Sequence, residues 1–221
     1  MKNMMLLLSF ITLNSPAFAD ERLDSEILRI QHAWDKARYQ TSGNAQESAF
    51  KTLTEETHQL TVSNPNAAEP LIWEALSNIG YAYAKEGMGA LKFVQKARDL
   101  LLAAEKINPL ALQGTVYANL GMLYYQVPGW PFSFGDMKKA KQYLEKALEV
   151  NPAGIDPNYF YAGFLDEQGN HVKAIEYYKK ALAAPPRPDR EDADAGRKKE
   201  IELALKTRGG NKVDSFDGLR P

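Results

Sequence analysis

The chain has 221 residues, with 27 lysines and arginines against 28 aspartates and glutamates, and it contains no cysteine. This near-neutral balance provides no basic excess of the kind that predicts binding to nucleic acid or to an anionic membrane. The absence of cysteine excludes disulfides, thiolate catalysis and cysteine-ligated metals.

The amino-terminal residues 1–19 have the pattern of a cleaved secretion signal. Lys2 supplies a positive charge, residues 4–13 form an apolar run too short to span a bilayer, and residues 17–19 read Ala-Phe-Ala, the pattern that signal peptidase cuts. We therefore expect cleavage after Ala19 and a mature chain that begins at Asp20. An exported chain without cysteine suits the bacterial periplasm; an uncleaved interfacial helix is the alternative.

From Asp24 onward the apolar residues recur with helical spacing, and no stretch alternates as a strand does. One all-α domain is predicted over residues 20–208, followed by a flexible tail over residues 209–221. The first predicted helix pair covers residues 24–40 and 45–63. We interpret this pair as a degenerate amino-terminal cap of a helical repeat array.

Three later segments, residues 97–109, 140–152 and 174–186, end in the same way. In each, an alanine is followed by a large residue, a second alanine and a proline at matching offsets. The offsets place both alanines and the large residue on one helix stripe, where small side chains let a neighbouring helix approach, and the proline ends the helix. The residues are Ala97, Leu101, Ala104 and Pro109; Ala140, Leu144, Ala147 and Pro152; and Ala174, Tyr178, Ala181 and Pro186.

Each of these segments follows a first helix with its own pattern. The pattern residues are Leu76, Ile79, Gly80 and Tyr83, then Tyr117, Leu120, Gly121 and Tyr124, then Tyr161, Ala162 and Leu165. This arrangement resembles the tetratricopeptide-repeat (TPR) family, most closely over residues 156–186. The resemblance implies an all-α, TPR-like solenoid of helical hairpins with about three recognisable repeats. The charged segment 189–207 is predicted to be a carboxy-terminal capping helix.

The resemblance also implies a concave groove, lined by the first helix of each repeat, that binds a protein or peptide partner. Tyrosine and asparagine in this groove suit contacts with peptide backbone, and its scarcity of basic residues makes an acidic tail a poor ligand. The alternative is that the tyrosines pack neighbouring repeats. The groove residues are Glu74, Ser77, Asn78, Tyr81, Lys85, Thr115, Asn119, Met122, Tyr125, Gln126, Tyr159, Phe160 and Asp166.

An insertion over residues 127–136 contains prolines and glycines that exclude a helix. Its aromatic residues Trp130, Phe132 and Phe134 either fold against the repeat core or form a lip over the groove. Together with residues 158–161, the insertion is similar to exported bacterial TPR proteins such as the T component associated with TRAP transporters. That narrower resemblance implies an accessory protein that handles a small ligand in a pocket beneath Trp130.

No pattern in the sequence predicts a catalytic, cofactor or metal site. His32, His58 and His171 do not form a zinc-binding pair on adjacent helical turns, and the glycines at 87 and 89 follow no strand. We therefore expect an exported interaction scaffold without catalytic activity or cofactor. A transporter accessory is the first alternative, and an enzyme is the least supported.

Overall fold

The computed structural model describes residues 16–85 and 87–207. The predicted signal residues 1–15 and the predicted tail 209–221 lie outside this part of the chain, and the expected cleavage point after Ala19 lies in the first helix. Within the described residues the chain forms α-helices and one short 3-10 turn, Met88–Ala90. The helices are α1 Pro16–Tyr39, α2 Gly43–Ser63, α3 Ala68–Lys85, α4 Leu91–Ile107, α5 Ala111–Gln126, α6 Met137–Val150, α7 Ile155–Glu167, α8 His171–Leu182 and α9 Glu191–Lys206.

The three predicted repeats are the helix pairs α3/α4, α5/α6 and α7/α8, each of which packs extensively along its length. The alanine stripes lie at the centre of these pairs, as predicted: Ala97, Ala140 and Ala174 are all fully buried. Gly121 on α5 shows how closely two helices approach, because a Cβ there would lie 3.0 Å from the backbone nitrogen of Leu144 on α6. The all-α solenoid expected from the sequence is confirmed.

The first helix pair and the last helix also form where they were expected, but they do not cap opposite ends of an open array. Helix α1 contacts α2, α3 and α9, and α9 contacts α1, α7 and α8. The two ends of the solenoid therefore meet, and α1 and α9 face the first helices of the repeats. None of the described helices is long and apolar enough to cross a membrane.

Candidate binding cavity

A cavity of about 370 Å³ lies between the repeat helices and the two terminal helices. One side is formed by the first helices of the repeats, α3, α5 and α7. The other side is formed by α1, α9 and the linker that joins α8 to α9. The volume falls in the range of pockets that hold small molecules, about 300–1,000 Å³. The concave side of this solenoid thus forms a cavity that the terminal helices and the linker partly cover.

Six of the thirteen predicted groove residues line this cavity, and seven do not. The lining residues are Thr115, Asn119, Met122, Gln126, Tyr159 and Phe160. Those placed elsewhere are Glu74, Ser77, Asn78, Tyr81, Lys85, Tyr125 and Asp166. The cavity is therefore lined by most of the predicted residues of α5 and α7 and by none of those predicted on α3. Whether any of these residues binds a partner stays a prediction.

On α3 the predicted face is covered by the neighbouring helices. The buried Glu74 carboxylate lies 2.8 Å from the Lys96 ammonium of α4, and the Tyr81 ring packs on Phe93 at 4.6 Å. Lys85 points away to Glu47 of α2. Because α2 and α4 pack on α3 from two sides, the stripe that contains Trp73 and Leu76 faces the cavity instead.

Tyr125 and Asp166, the other two predicted residues that do not line the cavity, contact neighbouring residues of the fold. Tyr125 is buried, and its ring contacts Phe164 of the next repeat at 6.0 Å, which is the alternative considered for the groove tyrosines. Asp166 lies at the far end of α7, where its carboxylate is 2.6 Å from His171 Nδ1.

The aromatic side chains of the insertion 127–136 do not line the cavity, so the lip, one of the two alternatives considered for them, is not formed. Trp130 is 90% exposed and Phe132 is 60% exposed, and neither lines the cavity. Only Phe134 packs against the repeats, with its ring 5.6 Å from that of Tyr124 and beneath the Arg98 guanidinium. Phe134 therefore packs against the repeat core, whereas Trp130 and Phe132 neither pack on it nor line the cavity.

A backbone turn of unusual conformation stands at the edge of the cavity. Leu112 and Gln113, both lining residues, have φ angles of 48° and 55° and precede Gly114 at 75°. Left-handed backbone is costly for residues with a Cβ, by about 1–2 kcal/mol each. Asn151 stabilises the turn by donating to Gln113 Oε1 at 3.1 Å.

Four arginines that sequence reasoning missed line the cavity: Arg38 on α1, Arg187 and Arg190 in the linker, and Arg197 on α9. They lie outside the repeats, so the repeat pattern carries no information about them. The sequence does contain one feature that could have indicated them, since three arginines occur within residues 187–197 beside the prolines of the linker.

Ion pairs attach the terminal helices to each other. Arg190 makes two hydrogen bonds to the buried Asp35 carboxylate of α1, both 2.8 Å long, and Arg38 donates to Glu200 of α9 at 2.8 Å. Burial raises the pKa of Asp35 even though Arg190 opposes this effect. Charged side chains therefore contribute to the contacts of α1 with α9 and with the linker that precedes it.

Asp156, at the start of α7, connects the linker and α9 to the repeats. Its carboxylate accepts from Arg187 at 2.6 Å and from Arg197 at 2.9 Å. Burial alone would raise the pKa of Asp156, but the charges of Arg187 and Arg197 outweigh it and hold the pKa well below its ordinary value. Asp156 is therefore firmly ionised and serves to position two guanidinium groups.

Aromatic rings support the arginines from within the cavity. The Arg197 guanidinium lies 4.3 Å from the centre of the Tyr159 ring, and that of Arg190 lies 5.3 Å from the Trp73 ring. Such cation–π contacts orient a guanidinium and are strengthened when water is excluded. Nearby, burial raises the pKa of Tyr39 to about 12, so this phenol stays neutral.

The chemistry of this arrangement favours binding. Among the described residues, no cluster of histidine, aspartate and glutamate side chains has the geometry of a metal site. The single carboxylate on the described cavity wall, Asp156, is engaged by two arginines and poorly suited to act as a general base.

Comparison with known proteins agrees with this fold. Residues 132–196 match the family model for the tetratricopeptide repeat. No curated protein sequence matches the chain. Among solved structures, the thermophilic TPR protein TTC0263 of Thermus thermophilus is 17% identical, with a TM-score of 0.54, over 86% of this chain and 94% of that chain. Residues 132–196 thus match tetratricopeptide-repeat sequence, and the chain has the TPR solenoid fold.

Proposed function

We propose that this protein is an exported, non-catalytic binding protein that holds a small ligand in the cavity between its repeats and its terminal helices. The observation that supports this proposal is the partial enclosure of the concave side by α1, α9 and the arginine-containing linker. Small-molecule sites are concave, largely apolar and furnished with a few polar groups, and this cavity has that composition.

An extended peptide in the groove is less well supported. Such a peptide would have to cross α3, α5 and α7, and α1 already packs on α3. The Trp34 indole of α1 donates to the Leu76 carbonyl of α3 at 3.0 Å, and its ring contacts that of Trp73. A peptide would have to displace this helix together with its ion pairs to α9.

The compartment and the wider role are also parts of the proposal. Export to the periplasm rests on the signal pattern of residues 1–19, and an accessory role in solute transport rests on the resemblance of the insertion to TRAP-associated proteins. A small-ligand cavity agrees with the second of these, but it does not lie beneath Trp130, where that resemblance implied it. Purification of the periplasmic fraction and sequencing of the amino terminus, expected at Asp20, tests the first.

Ligand binding in the cavity is tested by filling the cavity with a larger side chain. We expect the neutral fluorophore N-phenylnaphthylamine to bind the wild-type protein with enhanced emission, and Thr115→Trp to abolish that enhancement by occupying the space. Thr52→Trp, at an exposed position on α2, is the matched control and should bind as the wild type does. Equal emission from both variants would place the fluorophore elsewhere and contradict the proposal.

A protein partner that docks on the insertion is a second candidate function. It is favoured by the exposure of Trp130 and Phe132 on a loop whose backbone is fixed, since Gly135 donates to the Pro128 carbonyl at 2.9 Å. Ordered and exposed aromatic side chains are typical of binding hot spots.

This second function predicts that Trp130→Ser with Phe132→Ser abolishes crosslinked capture of periplasmic proteins. The control, Val62→Ser with Val172→Ser, removes exposed apolar side chains elsewhere and should retain capture. Equal capture by both double variants would exclude the loop as a docking site.

A further inference from the structure

The charge on the cavity wall is strongly unequal. Arg38, Arg187, Arg190 and Arg197 line the cavity, whereas Asp156 is the one acidic side chain on its described wall. The carboxylates that balance the other charges, Asp35, Asp194 and Glu200, lie behind the arginines and do not line it. A molecule inside the cavity therefore faces more positive than negative charge.

Three of these guanidiniums still have donors to offer. Arg190 uses Nε and Nη2 for Asp35, and Arg187 uses Nε and Nη1 for carboxylates. Arg197 likewise uses Nε and Nη1. The remaining terminal nitrogen of each has no described protein partner. Because two nitrogens of each guanidinium are held by carboxylates, the remaining donor has a fixed position as well.

The rest of the wall is apolar, with Trp34, Leu76, Met122 and Phe160 among its residues. The buried Trp73 indole also lines the cavity, and its N–H group has no hydrogen-bond partner among the described residues. Buried donors are almost always paired in native proteins, so this one indicates an acceptor that the protein does not itself supply.

From this juxtaposition we infer that the ligand is an apolar organic acid, with its carboxylate toward the arginines and its hydrocarbon body along the aromatic wall. This inference rests on the proposed small-ligand function and names the ligand class. The same charges disfavour an amine of equal size, because a cation would meet four guanidiniums.

The experiment compares three probes that share one hydrocarbon chain: octanoate, octanol and octylamine. Isothermal titration calorimetry with the full mature protein should give the tightest binding for octanoate. We expect octanol to bind about tenfold more weakly, as for loss of a hydrogen bond to a charged group, and octylamine to show no binding. The preference for octanoate over octanol should fall as salt is added.

A double variant tests the role of Arg190 in ligand binding without leaving the buried Asp35 carboxylate unpaired. Asp35→Asn with Arg190→Gln removes both charges and keeps side chains that can hydrogen-bond to each other. We expect it to lose most of the preference for octanoate while it still binds octanol. Arg29→Gln with Glu56→Gln, an α1–α2 ion pair outside the cavity, is the matched control and should keep the full preference.

The outcomes separate this inference from the function on which it rests. Equal affinity for octanoate and octanol, or an unchanged preference in the Asp35/Arg190 variant, would overturn the organic-acid ligand while N-phenylnaphthylamine binding still supports a small-ligand cavity. If Thr115→Trp enhances the emission of N-phenylnaphthylamine as much as the wild type does, the small-ligand function itself is overturned.

Discussion

At the scale of single residues, Asp156 has the largest structural consequence in the cavity. It holds Arg187 and Arg197, which in turn bind Asp194 and Glu200. Asp156 is partly buried, and removal of one partner from such an ion pair leaves the other charges less well compensated. Asp156 should therefore matter for both stability and its dependence on pH.

We predict that Asp156→Asn lowers the free energy of unfolding by roughly 1–3 kcal/mol at neutral pH. Because the pKa of Asp156 is lowered in the folded protein, its stabilising contribution is complete above about pH 5 and is lost as pH falls below the unfolded value near 3.9. The difference between wild type and variant should shrink over that acidic range. Urea unfolding at several pH values measures it.

The control for this prediction is Asp99→Asn. Asp99 is exposed and pairs with its neighbour Arg98, so its replacement should change the free energy of unfolding by less than about 1 kcal/mol. A difference between wild type and Asp156→Asn that stays constant from neutral to acidic pH would contradict the proposed ion pairs.

The positions of some residues could be predicted from the sequence, and those of others could not. The alanine stripes were predictable because Ala140, Leu144 and Ala147 lie on one helix and obey its period. The pairing of Arg190 with Asp35 was not predictable, since 155 residues separate them and both are in elements without repeat character. The exposure of Trp130 was also unforeseen, because aromatic side chains are usually buried.

At the scale of elements, the terminal helices were predicted well but their placement was not. The segment 189–207 was expected to be helical and forms α9, Glu191–Lys206. Its high charge and few apolar residues indicated a solvated cap. The structure instead buries part of the polar surface, with Asp194 and Arg197 both largely buried, because oppositely charged groups of α1, α7 and the linker meet it.

Gly196 is the point at which α9 lies against α1. A Cβ there would lie 2.2 Å from Cδ1 of Tyr39. Alanine ordinarily stabilises a helix relative to glycine by about 1 kcal/mol, so in an isolated α9 the change would be favourable. We predict that Gly196→Ala lowers the thermal midpoint, because the new methyl group forces α9 away from Tyr39.

The location of this effect is checked by hydrogen exchange. Faster exchange in α9 and α1 is expected for Gly196→Ala, with α5 and α6 unchanged. Lys199→Ala, at an exposed position of α9, is the control and should leave both helices protected. A rise in thermal midpoint for Gly196→Ala would show that α9 does not pack on α1 as described.

At the scale of the whole molecule, contact between the two ends changes how the fold should behave. A solenoid whose repeats touch only their neighbours is quasi-one-dimensional and can open from either end. Here α1 contacts α9, so neither end is free. Sequence patterns could predict the repeats but not this closure, because it depends on small rotations summed over all helix pairs.

We predict that closure makes unfolding cooperative. In a Trp130→Phe background, fluorescence comes from Trp34 and Trp73, which contact each other at the α1–α3 seam, whereas far-ultraviolet circular dichroism reports all helices. The two urea transitions should coincide, as two-state behaviour requires. Adding Asp35→Asn and Arg190→Gln removes the ion pair between α1 and the linker and should move the fluorescence midpoint to lower urea. Separate transitions without those changes would mean that the ends open independently, and the cavity would then lack a permanent cover.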